Sequence, residues 1–162
     1  MSHPSQRPPS DPGAAMVSVD AATGPAPAYR LYSASAVDVA TLCGSIFAGL
    51  LLMSLNFRAL GEDDRARRTL TLAAVVSVVT FVTIGLIPPT VPIPTSVYHG
   101  AQVLVAHLYV TRVQGDRLGR HVATGGRLYS KWRAAGIGLL CALGIVALFV
   151  AAGFVWSLWD PG

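Results

Sequence analysis

Polar and apolar positions in this chain fall into long blocks. The first block is polar: residues 1–30, MSHPSQRPPSDPGAAMVSVDAATGPAPAYR, hold six prolines and no apolar run. Such a segment buries too little apolar surface to offset its ordering entropy, so residues 1–34 are expected to form a disordered tail. Four apolar runs follow. A helix crossing a hydrocarbon core of roughly 30 Å needs about 20 mostly apolar residues. Val37 to Phe57 meets this with one charge, Asp38, at its edge, and the Ser35–Asp38 spacing of a capping box predicts a helix start at Ser35. Thr69 to Ile87 is rich in Val and Thr, but a bilayer obliges the backbone to pair within the segment; Pro88 and Pro89 end it. Thr95 to Val113, TSVYHGAQVLVAHLYVTRV, carries two histidines and a glutamine and is the weakest of the four; a re-entrant or interfacial segment would have the same pattern. Ala134 to Trp159 has no charge and is long enough to tilt. The expectation is an all-α integral membrane protein with four transmembrane helices, over residues 37–57, 69–87, 95–113 and 134–159, in one domain spanning 35–160.

Composition agrees. Charged residues make up 12% of the chain and hydrophobic ones 52%, against roughly 25% charged in a soluble domain. Basic residues collect on cytoplasmic loops. The tail holds Arg7 and Arg30, and the first loop Arg58, Arg65, Arg67 and Arg68; the second loop has none. The third holds Arg117, Arg120, Arg127, Lys131 and Arg133, with Arg112 at the helix end, and nothing basic follows the fourth run. With four crossings this alternation puts both termini outside the cytoplasm. Arginine supplies eleven of the twelve basic residues, a bias that suits a GC-rich bacterial genome and hence a bacterial inner membrane.

The densest charge lies in NFRALGEDDRARRTL, Asn56 to Leu70, which reads as the corner of a membrane hairpin. Gly61 can end one helix in the left-handed conformation. Glu62, Asp63 and Asp64 suit the positive end of the next helix dipole, and Asp63–Arg67 and Asp64–Arg68 are i,i+4 pairs. The run Asn56-Phe57-Arg58-Ala59-Leu60-Gly61, with Gly44 to Gly49 before it and Ala66-Arg67-Arg68 after, resembles an unnamed group of small bacterial multi-spanning membrane proteins. In that group an Asn-aromatic-Arg-Ala-Leu-Gly corner joins the first two helices. Gly125-Gly126, Ser130, Trp132-Arg133 and Gly136 resemble the group's approach to its last helix. The group has a Gly-Pro step in its first helix, where this chain has Gly44-Ser45. The resemblance implies the topology and no activity.

Candidate chemistry is sparse. Cys43 and Cys141 sit in apolar runs without Cys-x-x-Cys spacing, and the four histidines include no His-x-x-x-His pair, so neither metal nor cofactor is expected. Catalytic motifs are lacking, and the chain is read as non-enzymatic. On a helix wheel His99, Gln102 and Tyr109 fall within about 80° of one another, with Ala106 between them, a polar stripe suited to a permeation pathway or to interhelical hydrogen bonds. Small residues recur at packing spacing in Ala40, Gly44 and Ala48, and in Ala134, Gly138 and Ala142. The expected role is an accessory or scaffold subunit packing through these faces, against itself or another membrane protein; the alternative is an oligomeric channel or uncoupled transporter. Lipid is the expected surrounding, and nucleic acid is not an expected partner.

Overall fold

The computed structural model describes residues 26–88, 90 and 94–159; all but the last of the predicted tail, residues 26–33, lies outside them. Four helices dominate: α1 (Ala34–Ala59), α2 (Asp63–Leu86), α3 (Thr95–Ala123) and α4 (Lys131–Trp159). A two-residue strand, β1 (Arg30–Leu31), pairs in parallel with β2 (Arg127–Leu128). The fold is all-α apart from this bridge. By length and composition α1, α2 and α4 are apolar enough to cross a membrane, which marks a membrane location. Helix α3 equals α4 at 29 residues but is less apolar.

Length and composition mislead for α1. Its helical geometry breaks at Ser45, where φ is 79° and ψ 172°, and the chain turns back on itself. Three observations fix the reversal. The Tyr32 N–H donates to Asn56 Oδ1 at 2.7 Å, and Asn56 Nδ2 donates to the Tyr32 carbonyl at 2.9 Å. A Cβ built on Gly49 would lie 3.4 Å from the Cβ of Thr41. Contacts with the neighbouring α3 run down it and then back: Asp38 meets His107, Ile46 meets Gln102, and the Met53 carbonyl meets Gln114. In a straight helix Tyr32 and Asn56 would stand about 36 Å apart. The predicted first span is therefore a hairpin of two limbs, 34–44 and 46–59. At 1.5 Å per residue these reach about 16 and 21 Å, near half of a membrane's apolar thickness.

The hairpin is the centre of the bundle. Helices α2, α3 and α4 each pack mainly on α1 and little on one another. On α4, Gly138 backs onto the first limb: a Cβ there would sit 2.7 Å from the Ala40 carbonyl and 3.0 Å from Cys43 Cβ, and one on Gly44 would strike the Gly138 backbone. Beyond the tip, α2 and α4 meet through an edge-on Phe81–Phe149 pair with ring centres 5.2 Å apart. Ala40, Gly44, Ala48, Ala134 and Gly138 are all buried and Ala142 is half-buried, but Ala48 lies past the turn and forms no continuous stripe with the other two.

Several expectations need correction. The ordered chain begins before residue 34, because Leu31 and Tyr32 are buried by the β bridge and the Asn56 clamp. The N-cap of α1 is Ser33, whose Oγ accepts from the Ala36 N–H at 3.2 Å, and Asp38 is diverted to His107. Helix α3 continues ten residues past Val113, into the predicted loop. Gly61 does adopt a left-handed φ of 75°. The Asp63–Arg67 and Asp64–Arg68 pairs do not form; Glu62 instead holds Arg65 at 3.0 Å and Arg117 at 3.4 Å, joining the corner to the end of α3. Arg30 pairs with Arg127 across the bridge, so the chain before α1 lies at the same end as both basic segments. The predicted alternation set Arg30 apart from the third basic segment, and the bridge brings it beside Arg127 instead.

A cross-link tests the hairpin directly. With Cys43 and Cys141 replaced by Ala, Thr41→Cys and Gly49→Cys together should oxidise to a disulfide, since Cβ atoms about 3.5–4.5 Å apart suit one. Intact-mass measurement and protection from maleimide would record it. A continuous helix would hold the two Cα atoms about 12 Å apart and leave both thiols reactive.

Candidate functional site at the tip of the hairpin

Ser45 is the one non-glycine residue with positive φ among the described residues. Its φ/ψ lies in a region used almost only by glycine, which costs on the order of 1–3 kcal/mol and persists only where surroundings enforce it. Proline, with φ locked near −65°, could not adopt this turn.

What enforces the break is α3. Gln102, Ala106, Val110 and Gln114 recur every four residues and are all buried, making one face of α3 that lies against the hairpin. At the tip, the Ile46 N–H donates to Gln102 Oε1 at 2.8 Å. At the base, Gln114 Nε2 donates to the Met53 carbonyl at 3.0 Å, and Asn56 Nδ2 donates to Gln114 Oε1 at 3.0 Å. Between them His107 Nδ1 lies 2.9 Å from Asp38 Oδ2; an ionised carboxylate can only accept, so Nδ1 then carries the proton. The polar residues that make α3 less apolar are the ones that bind the hairpin. Thr41 satisfies itself within its limb, donating from Oγ1 to the Val37 carbonyl at 2.9 Å.

Around the tip, polar atoms remain without partners. Ser45 Oγ and His99 Nδ1 are each buried and make no hydrogen bond within the described residues, and Gln102 Nε2 is buried with the Tyr98 phenol beside it. Gln102 is only 7% exposed, so its amide N–H groups are aimed into protein. His99 is one turn further from the base on the same face of α3. Such buried polar atoms ordinarily bind a protein group or ordered water. No cluster of three metal-ligating side chains occurs among the described residues.

The predicted stripe is therefore split. His99 and Gln102 stand together at the tip. Tyr109, about 10 Å along α3 from Gln102, is half-buried against the core and lines a groove with Phe57 and Leu72. The predicted basic residues gather at the opposite end from the tip: Arg117 with Glu62, Arg133 over the Tyr129 ring at 4.4 Å, and Arg127 in the bridge. There burial pushes the Tyr32 phenol above its ordinary pKa, against the lowering influence of Arg133. Sequence reasoning missed Ser45, Asn56, Gln114 and the Asp38–His107 pair. Of these only Gln114 continues a pattern already drawn, the i,i+4 series through Gln102, and it falls one residue past the expected helix end at Val113. No family model, curated protein or solved structure matches the chain.

Substitutions at the break should separate its two supports. Gln102→Leu leaves the Ile46 N–H without its acceptor and should cost about 1–3 kcal/mol, whereas Ser45→Gly should stabilise by about 1 kcal/mol or more by relieving the backbone. Thermal unfolding in a fixed detergent would measure both. A Gln102→Leu protein as stable as the parent would show that this hydrogen bond does not hold the turn.

Proposed function

We propose that this is a non-enzymatic protein of the bacterial inner membrane in which α2, α3 and α4 cross the bilayer and the α1 hairpin enters from the cytoplasmic face without crossing. Among the described residues every Lys and Arg belongs to the hairpin-base end or the helix segments leading into it, and the positive-inside tendency makes that end cytoplasmic. Residues 30–33 are then cytoplasmic and Trp159 lies at the far side. In this reading the protein offers a small uncharged polar solute a path past the hairpin tip, as an uncoupled channel or transporter.

The observation that carries the reading is the broken helix with unpaired polar atoms beside it, which the proposed orientation puts at membrane depth. Irregular backbone at that depth is tolerated only where protein buries it or a water-filled cavity meets it, and transporters use broken helices as binding sites. Ser45 Oγ, Gln102 Nε2 and His99 Nδ1 are hydrogen-bonding groups that such a solute would satisfy. Among the described residues no carboxylate or guanidinium accompanies them, which favours an uncharged solute.

A second reading, the accessory or scaffold subunit, draws on a different observation. The Asp38–His107 pair lies on the flank of the bundle, with side chains 24% and 47% exposed. Ionisable groups at membrane depth are costly against lipid, so a second copy or another membrane protein covering this flank would suit it. A homo-oligomer satisfies both readings.

Reconstitution distinguishes them. Vesicles carrying the protein should swell in glycerol or urea several-fold faster than protein-free vesicles, and a Ser45→Gly, His99→Ala double variant should lose most of the excess while keeping its thermal stability. Equal swelling with and without protein would remove the pathway reading and leave the scaffold.

A further inference from the structure

Because α2 and α3 each pack on α1 more than on each other, a seam opens between them in the basic half of the bundle. It forms a groove of about 410 Å³. Arg65 and Arg68 stand on its α2 wall with Leu72 one turn deeper, while Tyr109 and Val113 form its α3 wall and Phe57 of the hairpin its floor. Residues 65, 68 and 72 follow helical i,i+3 and i,i+4 spacing and so share one face of α2. Each wall thus passes from the basic end of the molecule toward an apolar interior.

The two cations are not equivalent. Arg65 is held 3.0 Å from Glu62. Arg68 makes no ion pair among the described residues, although it sits beside an apolar groove. Asp63 and Asp64, the nearest acids in sequence, line an adjoining cavity with Gly61, Glu62 and Arg117; Arg65 borders both cavities, and Arg68 borders the groove alone. An amphipathic ligand that fits this gradient has an anionic head and an apolar chain entering from the side.

We propose that this groove binds one anionic phospholipid of the leaflet at the basic end, its phosphate on Arg68 and Arg65 and the upper part of an acyl chain between Leu72, Tyr109 and Val113. Charge complementarity selects the head, since guanidinium groups present planar donors suited to phosphate oxygens. The apolar walls select a lipid over a free phosphate ion. In this arrangement the lipid fills the seam that protein side chains leave open, and it does not depend on the solute pathway.

Native mass spectrometry of the protein released from bilayers of equimolar phosphatidylglycerol and phosphatidylcholine with identical chains tests the assignment. One phosphatidylglycerol per chain should be retained in clear preference. The preference should vanish in Arg65→Gln, Arg68→Gln and fall in Leu72→Trp, which fills the groove with both arginines intact. It should survive Arg67→Gln, whose side chain lies outside the groove, and millimolar inorganic phosphate. Retention of the two lipids in proportion, equal loss with Arg67→Gln, or displacement by phosphate would each overturn the proposal. Oxidation of the Thr41→Cys, Gly49→Cys pair in the same backgrounds confirms that the variants are folded.

Discussion

An N–H released from a helix and buried away from water needs another acceptor, and this constraint organises the molecule. The break at Ser45 frees the Ile46 N–H, and Gln102 answers it. In the proposed membrane placement, a turn without an acceptor on a neighbouring helix would expose the backbone to lipid, which membranes do not tolerate. From that single bond the rest follows in order. Helix α3 must carry a polar residue at the tip, so it must press that face against the hairpin. It then needs Ala106 and Val110 as small and medium spacers, and it closes the base with Gln114. The limbs must also lie close to α4, and the Gly44–Gly138 approach meets that need. A larger side chain at either glycine would push the tip away from the bundle.

The base of the hairpin applies the same rule in reverse. Asn56 is 1% exposed and uses its amide on both sides, accepting from the Tyr32 N–H and donating to the Tyr32 carbonyl and to Gln114. One side chain therefore ties the entry strand, the exit limb and α3 together. Its position at the head of the Asn-Phe-Arg-Ala-Leu-Gly run gives that run a structural meaning: Asn56 and Phe57 belong to the clamp and the groove, and Gly61 to the turn. Arg58 belongs to neither, while Arg65 and Arg68, beyond the run, line the groove.

How much of this was legible in the sequence depends on what hydropathy measures. A window over residues 34–59 records apolar content and nothing about direction, so two half-length limbs read as one full-length span. Gly44 hinted at close packing, which is correct for its contact with Gly138, but no proline or second glycine flagged the reversal, because Ser45 takes the strained conformation itself. The wheel drawn through His99, Gln102 and Tyr109 found the right side of α3 and misplaced its centre. The buried face runs through Gln102, Ala106, Val110 and Gln114, with His99 near its midline and Tyr109 at its edge. Gln114 was invisible because the helix was expected to stop at Val113. Asp38 and His107 lie 69 residues apart, and only the reversal of the chain brings them together.

The same reversal changes the reading of charge. Counting crossings assumes that each apolar run changes sides, so a run that returns shifts the parity of everything before it. Arg30, assigned by alternation to the far side, lies beside Arg127 instead. In the proposed orientation this removes the one described exception to positive-inside: the basic residues before α1, at the corner and after α3 share a face, and the far face has none among the described residues. The charge asymmetry is thus sharper with three crossings than with four. The Ile46–Gln102 hydrogen bond and the distribution of arginines, which share no residue, are therefore both accounted for by the proposed topology.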